Sequence, residues 1–525
     1  MPASANHRDD RRTARVNPTA PPAPATAGTD RVNRTLVEGA IGSLMVVFGS
    51  LGVGWLASVS PLNRLQLLIN LRTTEWGVVT TTAVMTLGCW VLFRAWLRLG
   101  QKLDGWPEGS LRTVWKACLA WGVPLLACVP IFSRDVFAYI GQGRLVAAGH
   151  DPYQQGISTV ANWFQLGTDT MWAESTTPYG VLFLDIEHVV MLIAGEDPDL
   201  AIFLFRLVAF LGVLLCLVYV PKLAALHGIN GARAAWITVA NPLFLISFVA
   251  SAHNDSLMTG LAVAGTYYAA TGRGIRGVLL VTASMGVKPI TLVLLPFIGL
   301  LWAGPGASWA RRFRYWFYTA GIGLGSMVLI GYLNGYELGW LEVMLTTGTG
   351  YSVYSPLGVL VGFFYSTLGP LGLDTSWVLP TMKLIGRLGS VAIVLFLMFK
   401  GSHGHLIQRT VLAFAALVVL SPIIHPWYLL WLLPFFAASG IRNDWQIVWV
   451  YFTVAFFIAY GVADQLFVWQ FLGDLKPWLQ NLATGLSWLF IAYLVFVDPG
   501  TRRIFVDFWR SLRRPERAGL RKRAG

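Results

Sequence analysis

Asp135 is the first residue in the chain whose setting points to chemistry. It stands in Pro130-Ile131-Phe132-Ser133-Arg134-Asp135-Val136-Phe137-Ala138-Tyr139, where a long apolar run ends. A carboxylate at an apolar boundary loses hydration, and its pKa rises toward the range useful to a general base. An ion pair with the adjacent Arg134, or a helix cap, is the competing explanation. Further on, Ser251-Ala252-His253-Asn254-Asp255-Ser256 brings three polar side chains together at the end of an apolar helical hairpin. His253, Asn254 and Asp255 supply donors and acceptors suited to a hydroxyl-rich ligand. A hydrogen-bonded turn would use the same residues. A third and fourth ligand at zinc spacing are missing, so no metal is expected.

Cations form the second group. Lys383 and Arg387 lie one helical turn apart within an apolar run. Two cations on one face fit an anionic lipid headgroup, although long basic side chains also snorkel toward water for their own solvation. His425, in the turn Ser421-Pro422-Ile423-Ile424-His425-Pro426-Trp427-Tyr428, could meet a phosphate or shuttle a proton. Lys288 precedes Pro289 at a helix break, the expected tip of a hairpin, where it could pair with an acid such as Asp255. Arg144, in Gly141-Gln142-Gly143-Arg144, is a further phosphate candidate. Asp151 and Tyr153 (in Asp151-Pro152-Tyr153) and Tyr179 (in Thr177-Pro178-Tyr179-Gly180) are candidate sugar contacts. Asp-Pro-Tyr is equally a turn signal, and tyrosines at a bilayer interface are ordinary anchors.

The elements that must position these residues are apolar. The chain has 525 residues, is 55% hydrophobic and 12% charged, and has mean hydropathy +0.59. A soluble protein carries roughly 25% charged residues. The fold class expected is therefore all-α, a polytopic membrane protein of about 12–14 transmembrane helices. Spans fall near 36–58, 78–98, 114–132, 200–220, 233–250, 256–271, 315–333, 381–399, 409–423, 427–439, 445–463 and 479–497. The stretch Gly277 to Ala303 is broken at Lys288-Pro289 and predicts two half-helices in a hairpin. Residues 133–199 and 334–380 are long connections whose apolar stretches, Val181 to Ala194 and Leu357 to Leu368, fit helices lying on the membrane surface. Residues 1–33 read as a disordered tail, 34–499 as the membrane domain and 500–525 as a basic tail.

The net charge of +13 tests this topology. With the N-terminus inside, every basic cluster between spans falls on one side, as cytoplasmic loops require. Most of the acids, which took no part in building the model, fall on the other side. The positive charge therefore reflects membrane topology, and nucleic acid is not expected as a partner. Cys89, Cys118, Cys128 and Cys216 sit inside apolar runs, as small packed hydrophobes.

Taken in order, Ser133 to Tyr153, Asn241 to Met258, the Val287-Lys288-Pro289 break and Ser421 to Trp431 resemble the polyprenol-phosphomannose-dependent α-1,6-mannosyltransferases of actinobacterial cell envelopes, within the GT-C class of membrane glycosyltransferases. The resemblance runs from about Leu36 to Val497. It implies an extracytoplasmic loop carrying the catalytic carboxylate, with Asp135 at the matching position. It implies a polyprenyl phosphate mannose donor, a lipid-anchored mannan acceptor and no cofactor. The product would be the α-1,6-mannan backbone of lipomannan and lipoarabinomannan, made at the plasma membrane with both termini cytoplasmic. A β-linked donor and an α product require inversion, which one base accomplishes because phosphate leaves as a stable anion. One departure stands out: two spans precede the span that leads into the acid loop, where many GT-C enzymes have none. Two alternatives stand beside this reading: a transporter or flippase for a polyprenyl-linked glycan, and a GT-C enzyme for another sugar. A transporter needs a polar path at the midplane, and few charges lie at mid-span here.

Overall fold

The computed structural model describes residues 25–346 and 350–513. Every regular element among those residues is a helix, with no strand among them. Seven of the described helices are long and apolar enough to cross a bilayer: Val32–Val53, Glu75–Lys102, Pro198–Ala225, Trp309–Leu333, Val378–Phe399, Trp445–Asp464 and Gln470–Val497. Gly231–Thr238 and Pro242–Ala250, bent by 56°, make an eighth when taken as one span. The protein is thus an all-α polytopic membrane protein.

Every expected span contains a helix, but several helices stop early. Ser110–Leu125 has 16 residues, Leu406–Val419 has 14 and Tyr428–Ser439 has 12. At 1.5 Å per residue, 14 residues reach about 21 Å, short of the roughly 30 Å hydrocarbon layer. By length alone, seven or eight of the described helices reach across a bilayer, and the other apolar helices are shorter. In each case the chain leaves the helix early to build a turn, and those turns carry the polar residues.

The break at Lys288 behaves as expected. Gly274–Val287 ends at Lys288, and helical structure resumes at Pro289. Pro289 lacks the N–H that a continuous helix would use, and it disfavours helical backbone in the residue before it. A Cβ on Gly274 would strike Trp302, so the two limbs of this hairpin start and finish together. Its tip reaches the end of the molecule where Asp135 lies. Apolar helices of Val181–Ala194 and Pro356–Leu368 form in the two long connections.

The N-terminal tail differs in part from expectation. A helix begins at Ala25, inside the segment expected to be disordered, and Pro499–Arg513 is helical. The remainder of the expected tails, 1–24 and 514–525, lies outside the described residues. Pro499–Arg513 is anchored at its start by Asp498, which pairs with Arg94 and Arg98 and accepts from the Thr501 hydroxyl at 2.7 Å. All four cysteines are buried and unpaired.

Candidate active site

Two strained turns build the site. Asp135 opens the helix Asp135–Ala147, and Phe132, three residues earlier, has φ 62. Ala252, directly before His253, has φ 58. Left-handed backbone at non-glycine residues costs about 1–3 kcal/mol and persists only where surroundings enforce it. Here two contacts do so. The Ser251 hydroxyl donates to the Ile131 carbonyl at 2.6 Å, joining the turns. Arg206, buried in Pro198–Ala225, donates to the Ala250 carbonyl at 3.0 Å and the Leu126 carbonyl at 3.4 Å. Before His253 the helix widens into a π-type turn over Ile246–Ala250, a feature frequent at functional sites.

Arg134 does not pair with Asp135. Its guanidinium binds Asp169 at 2.8 Å and the Gly167 carbonyl at 2.7 Å, and lies 4.6 Å from the Trp55 ring centre. Asp135 instead faces His253, with Oδ2 3.4 Å from Nδ1. The same Nδ1 is 3.7 Å from Asp255 Oδ2. These separations exceed hydrogen-bond length, but such contacts commonly tighten when substrate binds. Burial lifts the Asp135 carboxyl to about 6, with nearby Asp255 adding to the rise and Lys288 and the Ser133 hydroxyl opposing it. Burial, with Lys288 and His425 nearby, holds His253 well below its usual range, so it is neutral.

Behind these residues lies an ion pair. Lys288 Nζ is 2.6 Å from Asp255 Oδ1, which also accepts from Trp431 Nε1 at 2.7 Å. The ammonium lies 5.4–5.9 Å from the ring centres of Trp431, Tyr179 and Tyr428, within cation–π range. Tyr179 is carried there by a close approach. The Gly180 N–H donates to the Val287 carbonyl at 3.0 Å, and a Cβ on Gly180 would meet the Met285 and Gly286 carbonyls. Trp427 is sandwiched between His253 (4.0 Å) and His425 (4.6 Å).

Two cavities flank this wall. One, of about 460 Å³, contains Asp135, His425, Trp427, Trp172 and Tyr460. The other, of about 530 Å³, contains Lys288, Lys383 and Arg387 at a polar end, then Val391, Val394, Leu395 and Leu417 between the helices Val378–Phe399 and Leu406–Val419. The turn Ser421–Tyr428 lies between them, with Ile423 lining both so that the cavities adjoin, and it is pinned by the Ile424 N–H donating to the Ser352 hydroxyl at 3.0 Å.

Several expected contacts go elsewhere. His425 lies in the Asp135 cavity, and burial and Lys288 push it down to about 4. A neutral imidazole does not serve as a cation for phosphate. Arg144 sits at the far end of its helix and donates to the Ala161 carbonyl at 2.7 Å. Asp151 accepts from the Tyr153 N–H at 2.8 Å, a local turn. The Tyr153 hydroxyl donates to the Tyr179 carbonyl at 2.9 Å. These three brace the connection 133–199 and line neither cavity. Asn254 is buried, and its side-chain amide has no hydrogen-bond partner; its N–H meets the Tyr139 hydroxyl at 3.4 Å. Sequence reasoning passed over Trp427, Trp431 and Arg206. Arg206 had a signal: it is an arginine inside an apolar span. The two tryptophans had none, because tryptophans are common throughout this chain. Among the described residues no cluster of His, Cys, Asp and Glu suits a metal ion.

Residues 36–304 match the family model described as "Alpha-(1->6)-mannopyranosyltransferase, N-terminal domain", and residues 354–473 match "MptB C-terminal domain". A protein of Mycolicibacterium smegmatis named probable alpha-(1->6)-mannopyranosyltransferase is 30% identical, over 79% of this chain and 80% of its own. The chain belongs to the alpha-(1->6)-mannopyranosyltransferase family. A relative in Mycobacterium tuberculosis is 28% identical over 79% of this chain and 80% of its own. Alpha-(1->6)-mannopyranosyltransferase B of Corynebacterium glutamicum is 26% identical over 92% of this chain and 82% of its own. No solved structure matches the chain.

Within the family's two matched regions the site divides in a simple way. Asp135, His253, Asp255 and Lys288 fall in the N-terminal match, and Lys383, Arg387 and His425 in the C-terminal one. The wall between the cavities forms where the regions meet, through the Asp255–Trp431 hydrogen bond and the His253–Trp427 stack.

Proposed function

We propose that the protein is an inverting mannosyltransferase that moves mannose from a polyprenyl phosphate donor to the 6-hydroxyl of a lipid-anchored mannan. The observation that carries this reading is the pairing of two cavities across one wall. One contains a carboxylate raised toward neutral pH; the other joins three cations to an apolar groove. Lys288, Lys383 and Arg387 would hold the donor phosphate, and the groove along Val391, Leu395 and Leu417 would take the isoprenoid chain. Asp135 would remove the acceptor's proton as the hydroxyl attacks the anomeric carbon. The C–O bond to phosphate then breaks, and the phosphate keeps the electron pair as a stable anion held by cations. No general acid is required. Neutral His253, between Asp135 and Asp255, would keep the base oriented.

The site would face outward, with both termini cytoplasmic. Support comes from the basic clusters, which lie at the opposite ends of the helices from Asp135. Helices Val181–Ala194 and Pro356–Leu368 would then lie along the outer membrane surface.

The direct test is purified protein, polyprenyl phosphate mannose and a short α-1,6-mannoside. The expected product is one mannose longer, with a new α-1,6 bond. Absence of transfer from that lipid, with transfer from a nucleotide sugar, would overturn the donor assignment. Transfer should also follow the charge of Asp135. With a carboxyl pKa of about 6, kcat/KM should fall about tenfold per unit below that pH and level off above it. His425, near 4, is already neutral across that range and adds no second limb. Lys383→Met and Arg387→Met should each raise donor KM roughly tenfold or more, the loss of a charged hydrogen bond, with acceptor KM unmoved.

A further inference from the structure

The Asp135 cavity has a wall that the transfer chemistry leaves unused. It is formed by Trp172 and Asp169 on one side and Tyr354, Tyr460 and Gln465 on the other. We infer that this wall is the acceptor subsite, and that it binds the last two or three sugars of an α-linked manno-oligosaccharide whose remaining chain leaves by the open rim. This inference rests on the reading of Asp135 as the base.

Charge excludes the phosphate from this side. Among the described residues Arg134 is the only lysine or arginine lining the cavity, and Asp169, the Gly167 carbonyl and the Trp55 ring already occupy its guanidinium. His425 and His253 are neutral. An uncharged ligand is what such a surface accepts.

Composition then points to a sugar. Trp172 is half-buried, and among the described residues no other aromatic ring stacks on it. It lines the cavity together with the Asp169 carboxylate, the Gln465 amide and the Tyr354 and Tyr460 phenols. A pyranose presents an apolar C–H face and a rim of hydroxyls, which such a mixed surface complements.

Shape supplies the polarity of binding. The inner end is closed by Trp427, which is 9% exposed, and by Asp135, whose side chain is 19% exposed. The rim is open: Met171 is 69% exposed and Val353 74%. A terminal sugar reaches Asp135 while the preceding units pass Trp172 and emerge. The cavity therefore extends an existing glycan at its free end.

Two measurements on the full-length protein in detergent test this. In transfer assays Trp172→Ala should raise KM for α-1,6-mannotriose roughly tenfold and leave donor KM within twofold, and Trp172→Phe should restore most of the loss. The penalty should shrink with a methyl mannoside, which offers one sugar ring in place of three. A rise in donor KM instead, or no change in either constant, overturns the assignment. Calorimetric titration of mannotriose into the Asp135→Asn variant needs no turnover. Binding there that Trp172→Ala abolishes supports the subsite even if mannosyl transfer is never seen. Binding indifferent to Trp172, or no binding, overturns it.

Discussion

Asp135→Asn should reduce kcat by roughly 10²–10⁴-fold, the contribution of a positioned base, while leaving the fold intact. The substitution keeps the shape and the start of the Asp135–Ala147 helix. It removes only the basic oxygen and its charge. That charge is partly unfavourable where it stands, since burial and Asp255 raise the carboxyl to about 6. The loss of carboxylate at a helix N-terminus costs about 0.3–1 kcal/mol, which relief of that repulsion offsets. Thermal unfolding in detergent should therefore move by only a few degrees. Initial rates with saturating donor and acceptor decide the matter. If the Asn variant kept kcat within tenfold of the parent, Asp135 would lose its role as base. Asp169→Asn is the matching control. It releases Arg134 from its partner at 2.8 Å, and it should alter acceptor KM more than kcat.

The second large effect falls on the Lys288–Asp255 pair. Lys288→Met should destabilise the protein by about 3–5 kcal/mol, because it strands a buried carboxylate. Asp255 is fully buried, Lys288 is 13% exposed, and they meet at 2.6 Å. Trp431 alone would remain to satisfy Asp255 Oδ1. The double variant Lys288→Met/Asp255→Asn should recover most of that stability, since no isolated charge is left. It should not recover transfer, because a cation lining the proposed donor groove is gone. Unfolding midpoints of the single and double variants, read as a thermodynamic cycle, measure the pair's coupling. Additive losses would show that the two side chains do not act as a pair. Full activity in the double variant would remove Lys288 from the phosphate site.

These two experiments probe opposite sides of one wall. His253 and Trp427 connect them: His253 touches both carboxylates and stacks on Trp427, which stacks on His425. The wall is rigid because each member is held from behind. Arg206 ties the ends of the helices that lead to Asp135 and His253, and Ser251 joins the turns themselves. A site built this way holds the Asp135 carboxylate and the Lys288 ammonium at a fixed separation.

Much of this was legible in the order of residues. Apolar runs inside a bilayer must be helical, because unsatisfied backbone groups are too costly in hydrocarbon. Lys288-Pro289 marked the hairpin tip, since proline cannot continue a helix and disfavours helical backbone before it. The interruptions near Asp135, His253 and His425 stood out as polar turns for the same local reasons. Partnership was another matter. Arg134 is adjacent to Asp135 in sequence but turns to Asp169. Asp135 meets His253, and Asp255 meets Trp431, across long stretches of chain. Hydropathy and turn chemistry act over a few residues, so they locate turns. Which turns meet depends on how distant helices pack, and that alone decided why His425 lies with the carboxylate and not with the cations. It also decided why Arg144, Asp151 and Tyr153 brace a connection and line neither cavity.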